Sequence, residues 1–252
     1  MTAVERKEEI IRLIGEKGKI SVDTLAELLQ VSNMTVRRDL SSLEKNGVLE
    51  RTHGAAVMRR ETEYSEKAEA GVEEKQKIAE ICMKFINPGD TIYLDSGTTT
   101  FEIARKILDI PHLVVITNDI FIAFLLHQSS NIEVMFCGGM LQKSTGSTYG
   151  FFANQMVGYV QMDKAFIGAA SINENFNVLT PTMEKASLKR MVVNNANASY
   201  LVVDSSKFNK KALMKINHLS AYTGVVTMKK FNTEEMEKIK KKKICIISEV
   251  LD

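Results

Sequence analysis

The chain has 252 residues, of which 25% are charged and 44% hydrophobic, with a formal net charge of +2. These proportions exclude a disordered chain, a collagen and a coiled-coil rod, and the length suits one or two domains. No apolar run approaches the ~18 residues of a membrane helix. The opening MTAVERKEEI lacks a signal-peptide pattern, so a cytoplasmic protein is expected.

The first 60 residues predict three helices and a hairpin. Residues 4–16 place Ile10, Leu13 and Ile14 at helical spacing, with Gly15 and Gly18 marking the end. Ser21 is an N-cap candidate for a second helix with Val22, Leu25, Leu28 and Leu29 on one face. After a short turn, Ser32 can cap a third helix over 33–46, stopped by Gly47. Residues 48–51 and 55–57 then flank Thr52-His53-Gly54 as a small hairpin. The sum is a helix-turn-helix with a wing.

On the third helix, Val36, Leu40 and Leu43 share one side, whereas Met34, Thr35, Arg37, Arg38, Ser41 and Ser42 spread over the other. A cationic, hydroxyl-rich face suits a DNA major groove, where Arg reaches guanine edges or phosphates. The same face also suits plain solvation. Residues 1–60 hold 11 Lys/Arg and 9 Asp/Glu, while 61–252 hold 22 of each. The basic excess is local: residues 37–60 carry Arg37, Arg38, Lys45, Arg51, Arg59 and Arg60 against Asp39, Glu44 and Glu50.

Residues 61–75 are charged and aperiodic, which predicts a linker between a 1–60 domain and a 76–252 domain. A helical period over 73–86 opens the second domain. Short apolar runs follow at 91–94, 113–117, 132–137, 164–167, 200–203, 222–227 and 244–247. Helical patterns between them, at 100–108, 120–128 and 184–196, imply an α/β domain with a mostly parallel sheet. The lysines of 238–243 suit the solvated end of a helix before the last strand.

Ligands of an open parallel sheet bind at the carboxyl ends of its strands. After 91–94 comes Asp95-Ser96-Gly97-Thr98-Thr99-Thr100, a Gly- and hydroxyl-rich turn opening a helix. Such a turn suits an anion, and it also suits a capped helix that binds nothing. Thr117-Asn118-Asp119, Gly138-Gly139, Gly168 and Asp204-Ser205-Ser206-Lys207 follow other strands and can form a pocket on the same edge. Lys207 offers a cation for a phosphate. No G-x-G-x-x-G or Walker pattern predicts a nucleotide cofactor. The four histidines lack ligand spacing, and no triad pattern occurs, so no metal, cofactor or catalytic residue is expected. Cys82, Cys137 and Cys245 predict reduced, mostly buried thiols.

These motifs resemble one family. Ser32-Asn33-Met34-Thr35-Val36-Arg37-Arg38-Asp39-Leu40 followed by His53-Gly54 resembles the DNA-binding signature of DeoR/GlpR-type bacterial transcription regulators. Leu94 to Thr99, Thr117-Asn118, Gly138-Gly139 and Asp204-Ser205-Ser206-Lys207-Phe208 resemble the same family's effector domain, in the same order. The resemblance implies a winged helix-turn-helix joined to an isomerase-like, Rossmann-like α/β domain. It implies a regulator, usually a repressor, that binds operator DNA and responds to a phosphorylated sugar. Since one winged helix reads only a few base pairs, a homo-oligomer, dimer or tetramer, is expected. Ser32, Met34, Thr35, Arg37, Arg38, Ser41, Arg51 and His53 are the resulting DNA-contact candidates. Ser96, Gly97, Thr98, Thr99 and Lys207 would hold the phosphate, with Asp95, Asn118 and Glu184 nearer the sugar and Gly138 and Gly139 in the pocket.

Three positions depart from the family pattern. Ala55 replaces a second wing glycine, Lys67 replaces a linker Arg, and Lys185 follows Glu184 where a second acid is common. The alternative is a sugar-phosphate isomerase with a helical appendage, which would need a carboxylate base such as Asp95, Asp204 or Glu184.

Overall fold

The structure is a computed structural model, described here for residues 1–45, 49–52, 55–58 and 63–248. The chain divides into two compact units, with the boundary after Glu61.

The first unit runs α1 (Ala3–Lys17), β1 (Lys19–Ser21), α2 (Val22–Leu29), α3 (Asn33–Lys45), β2 (Leu49–Thr52) and β3 (Ala55–Met58). Thr2 and Glu5 form a capping box on α1, and Gly18 ends the helix with φ +74°. Gly15 therefore lies inside α1 and does not end it. Ser21 caps α2 through the Thr24 N–H, and Ser32 caps α3 through the Thr35 N–H at 3.2 Å. Ile10, Ile14, Leu25, Val36, Leu40 and Leu49 close one buried core. The wing has one strand more than the sequence suggests. β1 pairs with β3, and β3 with β2, all antiparallel. Ala55 opens β3 opposite Thr52 and Ser21, so its side chain packs within a strand. The expected Gly47 stop and the His53-Gly54 turn lie outside the described residues.

The second unit begins with α4 (Tyr64–Glu69) and α5 (Val72–Met83). Residues 64–69 and 72–75 of the expected linker are therefore helical. Next come β4 (Thr91–Leu94), α6 (Thr98–Lys106), β5 (Leu113–Thr117), α7 (Ile120–Leu126) and β6 (Ile132–Phe136). A ribbon of β7 (Met140–Gln142) and β8 (Ser147–Tyr149) leads to α8 (Phe151–Tyr159) and β9 (Met162–Ile167). Then follow β10 (Ser171–Ile172), β11 (Asn177–Thr180), α9 (Met183–Asn195) and β12 (Ala196–Val202). The last elements are β13 (Met214–His218), β14 (Gly224–Val226), α10 (Thr233–Lys241) and β15 (Ile246–Ile247).

The main sheet has the order β15-β14-β12-β9-β4-β5-β6, and every neighbouring pair is parallel. Alternation along the strands splits the core in two. Ile92, Leu94, Val115 and Phe166 pack with Ile78, Ile103 and Ile122 of α5–α7. Tyr93, Ile116, Ala165 and Ile167 pack with Val157, Val192 and Ile239 of α8–α10. Helices therefore cover both faces, as a buried parallel sheet requires. The antiparallel ribbon β7–β8 and the small sheet β10-β11-β13 are additions that the apolar runs do not announce.

Strand order reverses at β4. Strands β5 and β6 extend the sheet one way, and β9, β12, β14 and β15 the other. The crevice between the carboxyl ends of β4 and β9 is thus the topological switch point, where doubly wound sheets take their ligands. Cys82 and Cys137 are buried and Cys245 is exposed, all three as free thiols. Among the described residues, no helix is long and apolar enough to cross a membrane.

Candidate functional site

Two polar surfaces stand out, one in each unit. In the first, α3 buries Val36, Leu40 and Leu43 and turns Met34, Arg37, Arg38 and Ser41 to the outside. Arg37 and Arg38 have no ion-pair partner among the described residues. Two neighbours have internal duties instead. Asp39 is buried and pairs with the Arg6 guanidinium at 2.6 Å, and Ser42 accepts from the Lys7 ammonium at 2.8 Å. Both bonds tie α3 to α1, so Ser42 leaves the outward face and Asp39 does not offset its charge. Ser32 and Thr35 are joined hydroxyl to hydroxyl at 3.0 Å within the α3 cap. The Arg51 side chain and His53 lie outside the described residues.

The second surface is the switch-point crevice. Asp95, at the end of β4, is buried, and its Oδ2 accepts from the Gly168 N–H at 2.8 Å. The same oxygen pairs with the Lys189 ammonium, which also donates to the Gly168 carbonyl at 3.1 Å. Lys189 thus closes β4 onto β9 from α9.

The loop beyond Asp95 hangs from the β5 turn. The Ser96 N–H donates to Asn118 Oδ1 at 3.1 Å, and the Tyr93 hydroxyl donates to the same oxygen at 2.9 Å. The Asn118 amide nitrogen donates to the Thr148 carbonyl at 2.9 Å. The Gly97 N–H donates to Asp119 Oδ2 at 3.1 Å, while Asp119 Oδ1 caps α7 through the N–H groups of Phe121 and Ile122. Burial raises the Asp119 pKa to about 6, against the pull of these backbone donors.

What remains open is the start of α6. No side chain caps this helix. Thr98 and Thr99 sit there, nearly buried, while Thr100 turns its hydroxyl back to the Asp95 and Gly97 carbonyls. Uncapped N–H groups, two threonines and the positive end of a helix suit an anion. Lys207 stands 3.7 Å from Asp204, in the turn after β12. The buried Lys75 ammonium donates to the Lys67 and Ala70 carbonyls. Burial lowers its pKa, Asp204 opposes that shift, and Lys207 adds to it. Lys75, Asp204 and Lys207 thus share one electrostatic neighbourhood.

Comparison with known proteins places both units in one family. Residues 6–62 match the model of the DeoR-like helix-turn-helix domain, and residues 70–229 match that of the DeoR C-terminal sensor domain. The chain is a DeoR-family transcriptional regulator. It is 36% identical over 230 residues to a helix-turn-helix transcriptional regulator of Haemophilus influenzae, covering 90% of each chain. It is 36% identical over 234 residues to the lactose phosphotransferase system repressor of Streptococcus mutans, covering 90% of this chain and 92% of that one. A putative aga operon transcriptional repressor of Escherichia coli O157:H7 is 31% identical over 249 residues, or 96% and 93% of the two chains. Among solved structures, ribose 5-phosphate isomerase A of Methanocaldococcus jannaschii overlaps 55% of either chain at 19% identity and a TM-score of 0.41.

Family membership makes this protein a regulator, not the isomerase of the alternative reading. Several expected contacts in the regulator have structural work. The Asn118 amide carries the 96–97 loop. Gly139 serves the ribbon, because at its φ of +152° a Cβ would stand 2.4 Å from the Tyr149 carbonyl oxygen. Glu184 is exposed in the first turn of α9, and Lys189, not Glu184, is the α9 residue that meets Asp95. Lys67 contributes its carbonyl, which accepts from Lys75 and, at 3.4 Å, from the Thr98 hydroxyl. Lys75, Thr148 and Lys189 are the residues that the motifs do not point to, while Asp119 lies in the Thr117-Asn118-Asp119 turn but is not among the site candidates. A helical-wheel signal exists for two of them. Lys75 lies on the stripe Lys75, Ile78, Ala79 and Cys82, and Lys189 on the stripe Ala186, Lys189 and Val192, where apolar residues belong.

Proposed function

We propose that this regulator is a cytoplasmic, homo-oligomeric repressor of a sugar-utilisation operon, released from its operator by a phosphorylated sugar. The α3 face enters the major groove, where Arg37 and Arg38 contact guanine edges or phosphates. The phosphate sits on residues 96–99 and the uncapped start of α6, with Lys207 as counter-charge. The sugar hydroxyls lie toward Asp95 and Lys189. One observation carries the reading. The uncapped, threonine-lined helix start lies at the sheet's switch point, in a chain whose other unit exposes two arginines on its third helix that have no ion-pair partner among the described residues. The names of the lactose and aga repressors favour sugar-phosphate chemistry. A dimer or larger assembly follows from DNA geometry, since one winged helix covers only a half-site.

A thermal-shift screen with sugar phosphates and their free sugars tests the ligand. A ligand at 100 times its Kd adds about 2.7 kcal/mol to stability. Loss of the phosphate removes charge-assisted hydrogen bonds of roughly 1.5–3 kcal/mol each, so the free sugar should bind orders of magnitude more weakly. A DNA shift with the gene's own upstream region, with and without the active compound, tests the coupling. Effector control requires that the ligand bind the DNA-free and DNA-bound forms with different affinities, and equal affinities would refute it.

A further inference from the structure

Residues 134–162 carry a single charged side chain, Lys143, in a chain where 25% of residues are charged. They form the end of β6, the β7–β8 ribbon and α8. α8 buries Ala153 and Val157 against the sheet, yet its outer side exposes Phe151 by 69%, Phe152 by 73% and Tyr159 by 85%. Gln155 is the one polar side chain exposed among them, so the outer side is uncharged and mostly aromatic where a solvent-facing helix side is normally charged or polar. The ribbon adds Met140, 68% exposed, and Leu141. Met140 stands opposite Tyr149, two residues before Phe151, and the Phe151 and Phe152 rings meet edge to face at 5.5 Å. Ribbon and helix start therefore form one continuous surface. With ~150–250 Å² for a whole aromatic side chain, it exposes on the order of 600 Å². That matches or exceeds the largest apolar patch of a typical monomer, and it is most of the ~800 Å² that each partner gives to a stable interface.

We infer that this face is where two copies of the regulator associate. Across a two-fold axis one patch serves both partners, residue i meeting residue j and j meeting i, so an uncharged apolar patch complements itself without any charge pattern. A surface without charges, rich in aromatics and Met, is suited to such a contact, and its composition is that of an interface core. Nucleic acid or an acidic or basic protein would call for charges that this face lacks. The inference rests on the proposed operator binding only in so far as two half-sites require two copies of α3.

Sedimentation of the full-length protein across the micromolar range tests it. The wild-type chain should be a dimer or larger. A Phe152→Asp, Tyr159→Asp variant should sediment as a monomer with a far-UV spectrum like the wild type, its dissociation constant raised at least ~100-fold by carboxylates buried without partners in the contact. A monomeric wild type, or a variant that assembles normally, overturns the inference. Hydroxyl-radical labelling of the wild type needs no variant. Met140 and Tyr159 should be protected relative to Met183, which is also exposed in the single chain. Equal labelling, or binding of lipid vesicles by a monomeric chain, also overturns it. A DNA shift on the same samples separates the two ideas. Operator bound by a monomer defeats the interface and the homo-oligomer but leaves operator binding, whereas a dimer that ignores the operator leaves the interface and defeats operator binding.

Discussion

On α3 the side chains expected to touch DNA, Arg37 and Arg38, are exposed and bear no part of the fold. At the ends of β4 and β5 the side chains expected to touch the sugar, Asp95 and Asn118, are buried and hydrogen-bonded into the fold. The first surface can change its specificity without touching its core. The second uses the same carboxylate and amide to hold two strands and a loop together, so binding and stability cannot be varied separately there. A reader of DNA sequence needs freely projecting side chains, while a ligand sensor needs a preorganised cavity wall.

The most severe test of that contrast is Lys189→Ala. Removal of the lysine leaves the Asp95 carboxylate buried without its counter-ion, which should cost ~3–5 kcal/mol of stability in chemical denaturation. The Arg37→Ala, Arg38→Ala double variant should unfold within ~0.5 kcal/mol of the wild type. Equal losses in the two variants would end the distinction.

Asp119 sharpens it through pH. Its carboxyl titrates near 6 in the folded chain and near ~3.9 when unfolded. Between those values the unfolded chain has already released a proton that the folded chain keeps, so stability falls as pH rises through the window. The fall attributable to this group is up to ~3 kcal/mol. Asp119→Asn should flatten that slope, and an unchanged slope would assign it elsewhere.

On the DNA side, Arg37→Ala or Arg38→Ala should weaken operator binding by ~1–3 kcal/mol if the arginine is bidentate to guanine. A uniform loss on all sequences, with a flatter salt dependence, would mark a phosphate contact instead. The smallest effect is expected at Ser32, which joins the two categories. Ser32→Ala should cost about 1 kcal/mol of stability through loss of the α3 cap. Operator affinity that falls much further would make Ser32 a direct DNA contact as well.

The difference between the regions also decided what the sequence could reveal. The α3 face, the helix caps at Ser21 and Ser32, and β4 and β5 to the residue follow from local period and capping. The 95–99 loop was equally legible, because glycine and hydroxyls after a strand are a local pattern. Its support was not. The Asp95–Lys189 pair spans 94 residues of chain, and Thr148 reaches Asn118 from an antiparallel ribbon too short to show a period. The 61–75 segment looked like a linker because α4 buries no residue fully, whereas its Tyr64 packs on Phe121 with ring centroids 4.2 Å apart.

The Lys67 carbonyl receives both the Lys75 ammonium and the Thr98 hydroxyl. Lys67 belongs to α4, the first element after the chain leaves the DNA-binding unit, and Thr98 begins the helix proposed to face the phosphate. A ligand that recruits the Thr98 hydroxyl takes a hydrogen bond away from that helix and leaves Lys75 as its tether. If the proposed ligand engages Thr98, its occupancy would change how firmly α4 is moored within its own unit.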